Sequence, residues 1–388
     1  MSTAESTPTN LAEQAVHTLR ALLGDSWSVT PLTPAPDKEH EGDSAFDGRV
    51  TIAPPDNSPY TELLITARQS VTPREVETQL GAIRNILAHT HASPTMLVVS
   101  PWISARAQQE LRDRRIGYID LTGNVFLSVT YPAIHLHLQG ASRSPRANRG
   151  TATGTKRVTL AGEKAGRIVR FLADFTPPYK ATDIANATEV DLGWVSRLLG
   201  ALDDQRLIER ANRTITDVDW AGLLHARAMT TRLLTDNNYV GMIAPAGTQS
   251  VLRKLATFPH PPYGKPQVIV TGPYAARAVA PLATGGQLML YVDNSAGSVD
   301  FMADYLGLLP ADHGAEVLLL RARDAVIFER HRKVDDIPHV ALSQLVMDSL
   351  SGPGRMPAEA EAVLDRMRAT EEFWRQPWLA KLESAPRR

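Results

Sequence analysis

The chain has 388 residues, too many for one ordinary domain, and at about 150 residues per domain it reads as two or three. Apolar residues make up 43% and charged residues 21%, which excludes a mainly disordered, collagen-like or coiled-coil protein, and the absence of cysteine excludes disulfides, thiolate metal sites and cysteine nucleophiles. No apolar run approaches the ~18 residues of a bilayer span, and the start MSTAESTPTN has no signal-peptide pattern, so a cytoplasmic protein with no membrane partner is expected.

In chain order, residues 1–140 predict an α/β domain with a mixed sheet. Leu11, Ala15, Val16, Leu19, Leu22 and Leu23 place one apolar stripe on a helix. A Pro-rich loop is expected over 31–44, followed by strands over 48–54 and 62–67 separated by the turn formers Pro54, Pro55, Asp56 and Asn57. Pro73 opens a helix to about His89. A strand over 96–100, a helix over 104–115 and strands over 118–121 and 125–129 complete the domain.

Residues 141–157 are rich in Ser, Arg, Gly, Thr and Asn and read as a basic flexible linker. The net charge of −1 conceals this segment. From Ala141 to Arg170, Arg143, Arg146, Arg149, Lys156, Arg157, Lys164, Arg167 and Arg170 face only Glu163, so a polyanion is the expected partner.

Residues 158–235 carry three helical stretches followed by a two-stranded wing, the spacing of a winged helix-turn-helix. Ile168, Val169, Phe171 and Leu172 supply the buried face of the first helix, Thr182 is placed to cap the second, and Asp191 caps the third. On the third helix Leu192, Val195, Leu198, Leu199 and Leu202 follow the apolar spacing, which leaves Gly193, Trp194, Ser196, Arg197 and Gly200 outward. Outward residues near that N-terminus are what a recognition helix offers a major groove, and an arginine fork pairs with guanine O6 and N7 or with phosphate. Asn212 and Arg213 sit where a wing would turn. The expected DNA-binding set is therefore Thr182, Gly193, Trp194, Ser196, Arg197 and Arg213, with Arg146, Arg149, Lys156 and Arg157 of the linker. The exposed tryptophan equally suits a protein contact.

Here the sequence resembles known families. KATDIANATEVDLGWVSRLLGALDDQRLI looks like the helix-turn-helix of bacterial regulators of the IclR and MarR type. RRIGYIDLTGNVFL, VIVTGPYAARAVAP and HVALSQLVMDSLSGPGRMPAEAEAVL are similar to actinobacterial helix-turn-helix proteins related to AbiEi-type antitoxins of type IV toxin-antitoxin systems. The resemblance implies a DNA-binding regulator, autoregulatory in the antitoxin case. Those antitoxins carry the helix-turn-helix at the N-terminus, whereas here it is central.

Residues 236–388 read as a second α/β domain, a sensor or oligomerisation module, with strands over 267–271, 287–292, 316–320 and 326–328. A terminal helix over 357–375 is amphipathic through Ala360, Val363, Leu364, Met367, Phe373 and Trp374 and is expected to pack on its own domain, the alternative being a contact in the homodimer that paired half-sites require.

Enzyme readings fail on their own residues. The first domain resembles a degenerate PD-(D/E)XK nuclease, with Asp47 in a strand, but Thr66, Ala67 and Arg68 stand where a second carboxylate and a lysine belong, and Glu62 lies four residues too early. In the last domain Thr271, Gly272 and Pro273 faintly resemble a nucleotidyltransferase core, but of the two or three carboxylates it needs only Asp293 ends a strand, and Asp300 lies well beyond it. The pairs His135 with His137 and His89 with His91 have no third ligand. Asp120, Gly123 and Asn124 read as a polar cleft or as a plain turn. The expectation is a noncatalytic, cofactor-free regulator that binds double-stranded DNA sequence-specifically. A protein-interaction or antitoxin-like module is the alternative, and a metal-dependent DNA-processing enzyme is the third choice.

Overall fold

The computed structural model describes residues 8–32, 46–56, 59–87, 94–141, 159–258, 267–282 and 284–378. The chain forms an α/β protein of two compact units, residues 1–155 with 204–206, and residues 156–203 with 207–388. Arg143, Arg146, Arg149, Lys156, Arg157, His89 and His91 lie outside the described residues.

The first unit contains α1 (Pro8–Leu23), β1 (Ser28–Leu32), β2 (Gly48–Ala53), β3 (Thr61–Ala67), α2 (Pro73–Glu75), a π-helical turn (Val76–Leu80), α3 (Gly81–Leu87), β4 (Thr95–Ser100), α4 (Ala105–Asp113), β5 (Gly117–Asp120), β6 (Val125–Val129) and β7 (Ile134–Leu138). The sheet runs β1 to β7 in chain order, with β3, β4 and β5 parallel and the flanking pairs antiparallel. The expected loop begins later than its prolines suggest, because Ser28–Leu32 pairs with β2 as an edge strand, where Pro31 is tolerated. In β4, Leu97 and Val99 join the α1 side of the core while Met96 and Val98 join the α4 side. Burial on both faces explains why this parallel strand is a continuous apolar run.

The second unit contains α5 (Glu163–Asp174), β8 (Phe175–Thr176), β9 (Tyr179–Lys180), α6 (Ala181–Thr188), α7 (Leu192–Asp204), β10 (Ile208–Ala211), β11 (Thr214–Val218), α8 (Trp220–Ala228), α9 (Leu233–Asp236), β12 (Val240–Ile243), α10 (Thr248–Thr257), β13 (Val268–Thr271), α11 (Gly272–Arg277), β14 (Leu288–Val292), α12 (Ser298–Leu306), β15 (Leu309–Pro310), β16 (Val317–Arg321), a 3-10 turn (Ala325–Phe328), β17 (Arg332–Val334), β18 (Ile337–His339), α13 (Leu342–Leu350), α14 (Met356–Ala369), α15 (Glu371–Trp374) and β19 (Gln376–Pro377). Its large mixed sheet has the order β15-β12-β16-β14-β13-β18-β17. Residues 326–328, expected as a strand, instead belong to the 3-10 turn, opened by Asp324, whose side chain accepts from the Val326 amide. The terminal helix breaks at Thr370, and Phe373 is 80% exposed rather than part of the apolar face.

The winged-helix segment and the terminal sheet, expected as separate domains, share one hydrophobic cluster within this unit. Arg170 explains how they are joined. Its side chain, expected in the basic patch, is 2% exposed and donates to Asp174 Oδ2 at 3.1 Å, to the Val326 carbonyl at 2.9 Å, to the Glu329 carbonyl at 3.0 Å and to Gln344 Oε1 at 3.2 Å. Ser343 donates to the other Asp174 oxygen. Gln344 passes the network on to Asp348 at 2.8 Å, which also accepts from Thr271 at 2.6 Å and from Tyr291 at 3.0 Å. Arg167 is likewise committed, to Asp324 at 2.7 Å. At the end of α5, Arg375 donates to the carbonyls of Leu172, Ala173 and Phe175, which satisfies acceptors a helix C-terminus leaves open.

Replacing Arg170 with Ala strands Asp174 as a buried, undercompensated charge and should lower the unit's stability in urea by about 3–5 kcal/mol. Arg167→Ala, which leaves the largely buried Asp324 carboxylate without its cation, should cost about 1–3 kcal/mol. Burial raises the Asp348 carboxyl from 3.8 to about 6 against the hydrogen bonds it accepts from Thr271, Gln344 and Tyr291. An acid raised in this way binds a proton more tightly folded than unfolded. Its contribution is therefore complete below pH 3.8 and is lost as pH rises through about 6. Across that window the parent should lose on the order of 3 kcal/mol relative to Asp348→Asn, measured as the difference between their pH–stability curves.

Candidate nucleic-acid interface

The helix-turn-helix is built by α6 and α7. Helix α6 ends where Glu189 takes the left-handed conformation at φ 54° and its amide bonds back to the Ala185 carbonyl. Val190 is buried, and Asp191 restarts the chain as a helix by accepting the Trp194 amide at 2.9 Å. The start of α6 differs from expectation. Thr182 lies in its first turn, exposed, and the reciprocal cap is made by Asp183, which accepts the Lys180 amide at 2.7 Å.

On α7 the buried stripe is Val195, Leu198, Leu199 and Leu202. Gly193, Ser196 and Arg197 are exposed. Two neighbours exchange their expected places: Leu192 is 43% exposed, whereas Trp194 is half-buried and packs on the core cluster. Leu192 is the first helical residue, one position after the Asp191 cap, and the inward-facing stripe begins only at Val195. A Cβ on Gly193 would lie 3.2 Å from Asp191 Oδ1 and 3.7 Å from Arg197 Nη1. The arginine thus lies back over the first turn, and the glycine makes room for it and for the capping carboxylate.

The wing is the antiparallel pair β10 and β11, extended by β9. Asn212 and Arg213 form its two-residue tip with φ of 49° and 68°, the left-handed pair that a tight hairpin turn demands. Arg213 is exposed there. Arg210 ties the wing to α7 through Asp203 at 2.8 Å. Under the wing Tyr179 packs edge-on to Phe171, and burial holds its phenol well above the ordinary value, so it acts as a neutral donor.

The structure therefore gathers Gly193, Ser196 and Arg197 on one helix and sets Arg213 on the adjoining hairpin tip; Arg146, Arg149, Lys156 and Arg157 lie outside the described residues. Sequence reasoning overlooked two exposed residues here, Lys180 and Leu192. Lys180 was legible as the residue between a short strand and a helix; Leu192 was not, since apolar spacing alone assigns it inward. The surface also carries exposed carboxylates at Glu189, Asp191, Glu209 and Asp217.

The other sequence candidates are structural. Asp47 precedes β2 instead of lying in a strand, and accepts the Ala67 amide at 2.7 Å. Arg68 stands between it and Glu75, at 3.8 and 3.3 Å, so a guanidinium neutralises both carboxylates. Asp120 is buried and holds its turn by accepting from the amides of Ile103, Thr122 and Asn124 and from the side chains of Thr122 and Asn124. Asp293 braces another turn: burial opposes its charge, but hydrogen bonds from Ser298, Ser295 and the Gln267 amide hold it below the usual carboxylate range. His135 and His137 pack edge-on to Phe126. Among the described residues no cluster of three His, Asp or Glu is placed to hold a metal ion, and no helix is long and apolar enough to cross a membrane.

No family model matches the chain, and no curated protein and no solved structure matches it either.

Asp191→Ala removes the only side-chain cap of α7 among the described residues and should cost about 1 kcal/mol of stability, read from denaturant midpoints.

Proposed function

We propose that this protein is a sequence-specific DNA-binding transcriptional regulator in which α7 enters a major groove and the wing tip meets the adjoining backbone or groove. The observation that carries this reading is the exposure of Gly193, Ser196 and Arg197 on the first turns of α7, together with a tight hairpin that presents Arg213. Arg197 reads a guanine edge or grips a phosphate, Ser196 hydrogen-bonds phosphate oxygen, and Gly193 lets the helix backbone approach. Arg146, Arg149, Lys156 and Arg157 neutralise phosphates. Two copies bound to paired half-sites would give the target its symmetry.

A second reading is a protein-binding module with an antitoxin-like role. Exposed Leu192, flanked by Glu189 and Asp191, favours it, because an apolar knob among carboxylates suits a protein surface better than a phosphate backbone.

The full-length protein, mixed with genomic fragments at several salt concentrations, should retain a defined site whose affinity falls steeply as salt rises. On that site Arg197→Ala should weaken binding by about 1–3 kcal/mol and relax one base position, whereas Arg146→Ala or Arg149→Ala should weaken all sequences alike and flatten the salt dependence. Absence of binding at low salt, with a stable protein partner co-purifying, would replace the first reading with the second.

A further inference from the structure

We propose that the first unit binds a small phosphorylated ligand in the cavity between the π-helical turn with α3 and the C-terminal end of α4. The cavity is about 550 Å3, within the size range of small-molecule sites. Arg84, Arg114 and Arg115 converge on it, with Thr78 and Asn85 beside them. Guanidinium is the side-chain group whose planar fork matches phosphate oxygens two at a time.

Two of these arginines have no internal role. The side chains of Arg84 and Arg115 make no hydrogen bond or ion pair among the described residues. Arg114 is anchored on Glu110 at 2.6 Å and crosses the helix at Gly81, where a Cβ would stand 3.4 Å from its Nε. Glycine there makes room for the Arg114 side chain to lie against the helix.

Arg115 occupies the left-handed position that closes α4, with φ 55°. Glycine is the residue such a position favours, and an arginine there lowers stability. What the position gains in exchange is a cation at the cavity. The π-helical turn points the same way: Val76–Leu80 widens the helix beside the cavity, and such turns recur at functional sites.

Glu77, which is ion-paired with Arg206, and Asp113, which accepts from Gln109 at 2.7 Å, also line the cavity, and Asp113 is exposed. A ligand that satisfies both signs carries phosphate at one end and hydroxyl or amine donors at the other, as a nucleoside phosphate does. Every residue of this site lies in the first unit and none belongs to the winged helix, so the inference stands or falls independently of the DNA-binding reading.

Calorimetric titration of the full-length protein with ADP and with inorganic pyrophosphate tests it. Saturable binding of either probe is expected, weakened about tenfold in each of Arg84→Gln and Arg115→Gly and unchanged in Arg49→Gln, an exposed arginine on β2 outside the cavity. Arg115→Gly suits the left-handed backbone, so an unfolding midpoint no lower than the parent's shows that lost binding is not lost folding. Binding of neither probe at millimolar concentration, or equal binding across all variants, overturns the proposal. So does a short DNA duplex that displaces the probe from the parent and is itself weakened by the same two substitutions, because the arginines would then serve a nucleic-acid backbone.

Discussion

The second unit depends on one buried cation. Arg170 has been taken out of water on the inner side of α5, and every direction of its guanidinium is answered: by a carboxylate on its own helix, by two carbonyls around the 3-10 turn and by Gln344 on α13. An unanswered charge at this depth would cost several kcal/mol, so the three pieces of chain that answer it are held in register. The network continues through Asp348 to Thr271 at the end of β13 and Tyr291 in β14. A polar thread thus runs from the first helix of the winged segment into the centre of the terminal sheet, and its strict geometry specifies one packing where apolar contacts alone would tolerate several.

The winged helix is not a module on a tether to the terminal sheet, since the two share a core, and the C-terminal segment reinforces the union. Trp378 packs on Phe171 and Phe175, Trp374 packs on Trp220, and Arg375 closes the end of α5. Helix α7 is therefore carried by the same core as the terminal sheet, with α5 and α13 joined through Arg170 and Gln344. The surface itself is mixed in sign. Its cations stand on the first turns of α7 and at the wing tip, while its carboxylates include the cap that starts α7.

The first unit shows how a constellation that resembles a metal site becomes structural. Asp47 and Glu75 face Arg68, and the carboxylate that a metal would hold is spent on a backbone amide and an ion pair. On the other helices of this unit Arg84 and Arg115, among the described residues, have no internal partner beside a cavity.

The sequence by itself determined the alternation of helices and strands, the buried stripes of α1, α5 and α7, the cap at Asp191 and the wing tip at Asn212 and Arg213. These rest on local physics: periodicity, a side-chain oxygen at a helix start, and the backbone angles of a two-residue turn. Only the tertiary structure decided which charges belong to the surface. Arg170 and Arg167 read like the linker arginines in one dimension; apart from Asp174, one turn from Arg170, the groups that answer them lie on segments more than 150 residues away. The same reason governs the exchange of Leu192 and Trp194, where the depth of a side chain is set by what packs above it, and the joining of two expected domains into one, where the deciding contact is a hydrogen-bond network that no spacing pattern records.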